Sequence, residues 1–494
     1  MELELLKNLQ DKALDLRRRG IDLYPHRWPK THSALAAAAL GADLAPEGRT
    51  DQNVRVAGRI VQMRVMGKAS FAHLLDNGVK IQIYLKKDVL GPAAYDLFRK
   101  DLHVGDFLGV AGLVFKTKTG ETTVEAATIT VLAKSLRPLP EKWHGLKDTD
   151  TRYRRRYLDL LSNPEVRKVF ETRSRLVESI RKTFSRLGYL EVETPVLLSQ
   201  AGGAAATPFK THHRALDIPL FLRIATELYL KRLIIGGFDG VYEIGRIFRN
   251  EGIDTRHNPE FTMLEAYKAY SDYNGMAELF ENIVGDAAET LGTPSVEYRG
   301  KPINLKPPFR RLRLPELWKE HCGADIHDIL QGKGFNPAGL TALAARFGID
   351  AAGAPPAKIF ERIFDEKLLP NLHEPAFIMD HPTAITPLAK CLPGDESLVE
   401  RFEFFMGTEE IANAYSELND PIDQRERFEE QARQKAGGQE DADVLDEDFL
   451  EAMEHGMPPT GGIGIGIDRL AMVFTGNPSI REVVLFPTLK PESA

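Results

Sequence analysis

The sequence predicts an α+β, multidomain protein: a small closed β-barrel in the N-terminal third, then a larger domain with a mainly antiparallel sheet flanked by helices. Three observations predict it. Five short runs with period-two alternation, separated by turn signals, fall within ~80 residues after Asn53. A proline-stiffened joint, Arg137-Pro138-Leu139-Pro140, follows them. Beyond it, strand-like and helical runs do not alternate in the βαβ rhythm of a parallel sheet.

Each element has a local reason. Glu2–Arg19 carries Leu6, Leu9, Ala13, Leu14 and Leu16 among charges and ends in Arg17-Arg18-Arg19-Gly20, a helix with cations in its last turn and glycine just past it. Val54, Val56 and Gly58 alternate with polar residues, and further strands are expected at Ser70–Leu75, Val79–Leu85, Phe107–Val114 and Thr122–Leu132, with a helical insert at Tyr95–Lys100. Five strands fit an oligonucleotide-binding (OB) barrel, and equally a purely structural module. Asn163-Pro164-Glu165 starts a helix that Gly188 stops; Tyr189–Val192 then forms a strand running into Pro195. Strands at Val241–Phe248 and Phe261–Tyr270 follow. The expected domains are a helical extension over 1–50, the barrel over 51–136, a linker over 137–152 and the second domain over 153–494. Within the last, about 290–375 reads as an insertion or peripheral segment. An acidic tract covers Glu440–Asp448.

Composition narrows the function class. Hydrophobic residues make up 43% of the 494 and charged residues 27%, ordinary for a soluble globular protein. The net charge of −7 argues against a general basic coat, though not against a local positive groove. Two cysteines, Cys322 and Cys391, make neither a disulfide framework nor a cysteine-rich zinc site, which suits a reducing compartment. No run approaches ~18 apolar residues, and the acidic start Met1-Glu2-Leu3-Glu4 is unlike a secretory signal. A cytoplasmic protein with no membrane partner is expected.

Three constellations carry chemistry. In Gly461-Gly462-Ile463-Gly464-Ile465-Gly466-Ile467-Asp468-Arg469 the spacing fits neither a phosphate loop nor a dinucleotide turn, which excludes a dinucleotide-dependent oxidoreductase. Glycine alternating with isoleucine describes a strand approached closely by another backbone or a flat ligand. Asp468 is expected to cap the helix that follows, with Arg469 at the junction. The second constellation, Arg246 to Phe261, reads as a hairpin with a long loop bearing Arg249, Glu251, Arg256 and His257. Arginine grips phosphates bidentately, and Phe261 offers a stacking face. In the third, period two puts Phe261, Met263, Glu265 and Tyr267 on one face, and Asn413, Tyr415 and Glu417 on another. If both look into one cleft, its carboxylates and tyrosines suit an ammonium-bearing ligand. Glu403 and Glu410, on neighbouring segments, suit Mg²⁺, which takes one or two carboxylates plus substrate phosphates.

Taken together these residues resemble the class II aminoacyl-tRNA synthetases. The helix–strand–Pro195 segment is similar to their motif 1, Phe248-Arg249-Asn250-Glu251 through Phe261 to motif 2, and Gly462–Arg469 to motif 3. Four stretches resemble the class II lysyl-tRNA synthetases more specifically: Gly202-Gly203-Ala204-Ala205-Ala206, Glu227 to Leu233, Arg256 to Thr262, and Asn413 to Asp420. The likeness runs from about residue 1 to 490. Thr207 and Thr226 depart from it, where the family often has Arg and Pro; neither is expected to carry chemistry.

The resemblance implies an OB-fold barrel joined to a class II synthetase core, a homodimer built on motif 1, and a two-step reaction that consumes L-lysine and ATP and charges tRNA(Lys). It implies Arg249 on the α-phosphate, Arg469 on the γ-phosphate, Phe261 stacked on adenine, Glu251 accepting from its exocyclic amine, and His257 near the phosphates. Glu403 and Glu410 would ligate Mg²⁺. Glu417 and Tyr267 would meet the ε-ammonium of lysine; Gly203, Glu227 and Glu265 its α-amino group; Asn413 and Tyr415 would complete the wall. In the barrel it points to Arg64, Phe71 and Gln82 as anticodon contacts, with a place in the barrel core as the alternative for Phe71, which strand parity does not exclude. An aspartyl or asparaginyl relative would need a cation where Glu417 stands. A protein-lysylating paralogue would lack the barrel, and a degenerate non-catalytic relative would lack Arg249, Arg469, Glu403 and Glu410.

Overall fold

Charged residues interleaved with Leu9, Ala13 and Leu16 make α1 (Glu2–Arg18), which Gly20 ends at a φ of 77°. The computed structural model describes residues 2–139, 146–200, 202–204, 206–436 and 446–492. Pro140 of the expected linker, Ala205 of the Gly-Ala stretch and residues 440–445 of the acidic tract lie outside them. The chain divides into two units, Met1–Pro164 and Glu165–Ala494. The helices Thr149–Arg154 and Arg156–Ser162 group with the first unit.

In the first unit, β1 (Arg49–Met66), β2 (Ala69–Asp76), β3 (Val79–Lys86), β4 (Phe107–Lys116) and β5 (Thr122–Ala133) close in the order β1-β2-β3-β5-β4. Alternation sends Val54, Val56, Ala72, Leu74, Ile81, Ile83 and Leu85 inward, where α1 adds Ala13 and Leu16. The insert after β3 contributes Tyr95 and Phe98 to this core, and the Tyr95 hydroxyl and the Ser70 Oγ lie in hydrogen-bond contact at 2.8 Å.

The second unit begins with α2 (Pro164–Arg186) and the short β6 (Leu190–Glu191). Then come α3 (Glu227–Ile235), the hairpin of β7 (Gly240–Phe248) and β8 (Glu260–Ala269), and α4 (Tyr273–Leu291). The edge strand β9 (Arg310–Arg313) precedes β10 (Ala376–Pro382), β11 (Asp395–Met406) and β12 (Glu409–Ser416). The chain closes with α5 (Pro421–Ala436), α6 (Glu447–Glu454), β13 (Thr460–Gly466) and α7 (Ile467–Phe474). Sheet order is β9-β10-β11-β12-β13-β8-β7-β6. Its interior pairs are antiparallel; the two edge pairs, β9–β10 and β7–β6, are parallel.

One sheet face is packed by α2, α4 and α7 through Leu176, Ile180, Phe184, Phe280, Ile283, Leu470 and Val473. Residues 290–375 supply β9 and several short helices with an apolar core of their own, where Trp318 stacks on Phe360 at 5.0 Å and the cluster reaches Ile378 and Phe405 of the sheet. The opposite sheet face is left for the site.

Candidate active site

Register builds the site. Across five strands, one row reads Glu243, Glu265, Gly464, Asn413, Glu403, and the next reads Val241, Tyr267, Gly462, Tyr415, Arg401. Period-two alternation puts both rows on the same face. Gly462 and Gly464 of β13 make the floor, for different reasons, while Gly461 alternates to the helical side. A Cβ at position 461 would press on the Asp272 carbonyl oxygen ahead of α4, and one at 462 would overlap Glu417 Oε1 and the Tyr267 ring. At 464 no atom comes nearer than 3.9 Å. Gly462 thus makes room for the protein's own side chains, and Gly464 is open floor for a flat ligand.

At one end three carboxylates converge. Glu227 opens α3, Glu265 rises from β8, and Glu417 follows β12, its N–H donating to the Thr460 carbonyl at 2.8 Å. All three are buried, with Tyr267 beside them. Gly203, at a φ of 84°, packs against the Cβ of Glu227. Lys231 donates from Nζ to Glu227 Oε1 at 2.5 Å and forms an ion pair with Glu417 Oε2; among the described residues neither buried Glu417 oxygen has a hydrogen-bond donor, and Oε1 has no ion-pair partner either. Burial first, and the Glu227 charge second, raise Glu265 to about 7 against the pull of the Thr226 N–H. Glu417 is also pushed up by burial, opposed by Lys231. Tyr267 and Tyr415 are held as neutral phenols, by burial and by the surrounding acids. This end has the charge pattern that attracts ammonium groups.

The other end is cationic and more open. The β7–β8 loop is closed by the Arg249 N–H donating to the Pro259 carbonyl at 2.9 Å. The Arg249 guanidinium lies 5.2 Å from the centre of the Phe261 ring and, among the described residues, donates only to the Ile224 carbonyl, at 3.4 and 3.5 Å. Burial lowers its pKa, opposed by Glu251, Glu265 and Glu410, so an arriving anion would meet an under-compensated charge. Exposed His257 lies between Asp254 Oδ2 at 2.8 Å and Arg469 Nη2 at 3.4 Å. Arg469 Nη1 donates to the Glu410 carbonyl at 2.9 Å and to its Oε2 at 3.3 Å. Glu251 is exposed. A bulge between Phe404 and Phe405 shifts the β11–β12 pairing, so that Ile411 and Ala412 both enter the core while Glu410 meets Arg469. Glu403 pairs with Arg401, which also donates to Asn413 Oδ1 at 3.0 Å and Thr386 Oγ1 at 2.6 Å. Among the described residues no three His, Cys, Asp or Glu side chains converge on a metal position. Two carboxylates alone match the Mg²⁺ mode in which substrate phosphates complete the shell.

On the barrel, Arg64 stands opposite Phe71, and Phe71 opposite Tyr84, on adjacent strands. Phe71 stacks on Tyr84 at 4.5 Å and faces outward, while Ser70 and Ala72 point in, so it is not a barrel-core residue. Gln82 is held by Glu121 at 2.6 Å and Thr123 at 2.8 Å. Arg64 is exposed.

Residues 148–490 match the family model described as "tRNA synthetases class II (D, K and N)", and residues 54–136 match "OB-fold nucleic acid binding domain". The Lysine--tRNA ligase of Moorella thermoacetica is 50% identical over 99% of this chain and 99% of its own. Those of Enterococcus faecalis and Bacillus subtilis are 50% and 47% identical, each over 97% of this chain and 96% of theirs. The chain belongs to the class II tRNA synthetases of the D, K and N group.

In this synthetase two expectations need correcting. Asp468 does not cap α7, which begins one residue earlier at Ile467; its carboxylate accepts from the Thr262 N–H at 2.7 Å and pairs with Arg173 of α2. A carboxylate with a half-buried guanidinium within reach is better satisfied there than at a helix end. Thr226 does carry chemistry: its backbone N–H donates to both Glu265 oxygens at 3.2 Å, a donor that proline lacks. Thr207 has a smaller part, its carbonyl accepting from the Asn250 N–H at 2.8 Å. Reading the sequence missed Lys231, Arg401 and Tyr84. Only Lys231 left a signal, its i,i+4 spacing from Glu227.

Proposed function

We infer that this protein is a lysine–tRNA ligase. It joins L-lysine to ATP as lysyl-adenylate, releasing pyrophosphate, and then passes the lysyl group to the 3′ end of tRNA(Lys), releasing AMP. The full-length likeness to lysine–tRNA ligases supports this, and one observation carries the choice of amino acid: Glu417 Oε1 is buried, beside Tyr267, with no donor among the described residues. When ionised, three carboxylates against one internal ammonium call for two more positive charges, which lysine's two ammonium groups supply. An aspartyl side chain would bring a further negative charge, and asparagine none to offset those present.

In the activation step a lysine carboxylate oxygen attacks the α-phosphorus, and the bond from that phosphorus to the bridging oxygen breaks. The protein's part is positioning and charge. Glu417 and Tyr267 take the ε-ammonium, Gly203, Glu227 and Glu265 the α-amino group, and Asn413 and Tyr415 wall the pocket. Arg249 holds the α-phosphate against developing charge, Arg469 and His257 the outer phosphates. Phe261 stacks on adenine, and Glu251 accepts from its amine. Glu403 and Glu410 would hold Mg²⁺, which would supply positive charge to ease the departure of pyrophosphate.

On the barrel, Arg64, Phe71 and Gln82 read the anticodon, stacking and base-edge contacts being the usual means for unpaired RNA. Leu190, Val196 and Leu197, exposed just after α2, support a homodimer formed through motif 1. No described helix is long and apolar enough to cross a membrane, and both cysteines are free; with translation as its client, the enzyme works in the cytoplasm.

The test is ATP–pyrophosphate exchange with lysine, ornithine, arginine, aspartate and asparagine, followed by charging of tRNA(Lys). Exchange with lysine far above the others is expected. Exchange driven by aspartate or asparagine would overturn the reading.

A further inference from the structure

The pocket assigned above to substrate lysine already contains a lysine of the protein. Lys231 is fully buried on α3, where one helical turn brings Nζ 2.5 Å from Glu227 Oε1, and the same Nζ pairs with Glu417 Oε2. The ring of Phe449 lies 5.9 Å from that ammonium. Burial alone would strip the Lys231 proton, but the two carboxylates outweigh it and hold the amine charged. A buried ammonium is costly unless acids surround it, and any buried acid would serve. Here the partners are the two carboxylates assigned to opposite ends of the substrate, and Lys231 spends one oxygen of Glu417 while leaving the other, Oε1, without a donor.

We propose that Lys231 is a positioning and specificity-determining residue, an internal ammonium that ties Glu227 to Glu417, fixes the spacing of the α-amino and ε-amino subsites, and leaves Glu417 Oε1 aimed at the substrate. The proposal rests on the lysine-ligase reading and adds a ruler to it. It also sets the charge: ionised around bound lysine, Glu227, Glu265 and Glu417 carry three negative charges, Lys231 cancels one, and the two that remain equal the two ammonium groups of lysine. Ornithine, one methylene shorter, leaves Oε1 unpaired against a fixed Glu417. Without Lys231 the carboxylate is free to follow the shorter chain.

The variants are Lys231→Met, which keeps length and loses charge, and Lys231→Gln. In ATP–pyrophosphate exchange the lysine KM should rise at least tenfold, with kcat within threefold and the ATP KM within twofold, and the preference for lysine over ornithine should fall at least tenfold. Calorimetry of lysine binding at pH 7.5 in two buffers of different ionisation enthalpy gives the proton count. The groups facing the ammonium are Glu227, Glu417 and, beyond them, Glu265, Tyr267 and Tyr415. With the internal cation gone, the empty pocket takes up about one proton, which lysine then expels, so each variant should release about one more proton per lysine bound than the wild type. A packing role alone would not move that count.

Variants that bind lysine with wild-type KM, preference and proton count would overturn the proposal, as would a parallel loss of kcat and both KM values. If neither folds, Lys231→Ala is refolded with ethylammonium or with ethanol. Restoration of the lysine preference by ethylammonium alone supports the proposal, and equal rescue, or none, overturns it. A wild-type chain that fails to exchange with lysine would strike the ligase reading itself, a separate outcome.

Discussion

The two ends of one sheet face solve opposite problems. At the amino-acid end the carboxylates of Glu227, Glu265 and Glu417 are buried and arranged around Lys231, with Glu417 Oε1, which has no donor among the described residues, over Gly462. At the phosphate end the groups are cationic, the floor at Gly464 is open, and His257 and Glu251 sit at the surface on a loop. ATP is common to every activation reaction and is held by charge and stacking, which tolerate an exposed loop. The amino acid must be told from close analogues, and that requires polar groups left unpaired in water's absence when the wrong substrate enters.

Disabling the phosphate end should give the largest change. Arg249→Ala is expected to lower kcat of exchange by ~10²–10³-fold, the cost of losing one preorganised charge in a transition state, with lysine binding measured without ATP nearly unchanged. Loss of lysine binding in that variant would erase the distinction between the ends. Gly462→Ala attacks the other end: its methyl group overlaps Glu417 Oε1, and an ångström of displacement costs ~10²-fold. That loss should appear in lysine KM and kcat/KM while ATP KM holds.

The barrel extends the contrast to RNA. Phe71→Ala removes one stacking face, worth ~1–3 kcal/mol per base, so tRNA KM should rise about tenfold in charging assays with exchange unaffected. The smallest effect is pH dependence. Glu265 is raised to about 7 in the ligand-free site, above its unfolded value, so its proton is favoured by folding and its ionisation between the two values costs the empty protein stability. Lysine needs the ionised form. Its apparent Kd should therefore fall about tenfold from pH 6 to pH 8 as Glu265 loses its proton, and Glu265→Gln should bind weakly with a flatter profile.

The sequence made the periodic parts of this protein legible. Alternation placed all five barrel strands and put Glu265 with Tyr267, and Asn413 with Tyr415, on shared faces, because side-chain parity is a property of the strand itself. It was silent wherever a tertiary partner decided. The bulge that turns Glu410 to Arg469, the capture of Asp468 by Arg173, and the bridging of two acids by Lys231 depend on residues far apart in the chain. Residues 290–375 were opaque because short helices with their own small core carry little period, and the strand that joins them to the sheet is only Arg310–Arg313.

The central claim is that Glu417 recognises the ε-ammonium. Titrating L-lysine and L-norleucine, which lacks that ammonium, into the wild type and Glu417→Gln isolates the contact. The wild type should prefer lysine by ~10⁴ or more, and the variant should reduce that preference to about tenfold or less. A variant that keeps the full preference would contradict the account.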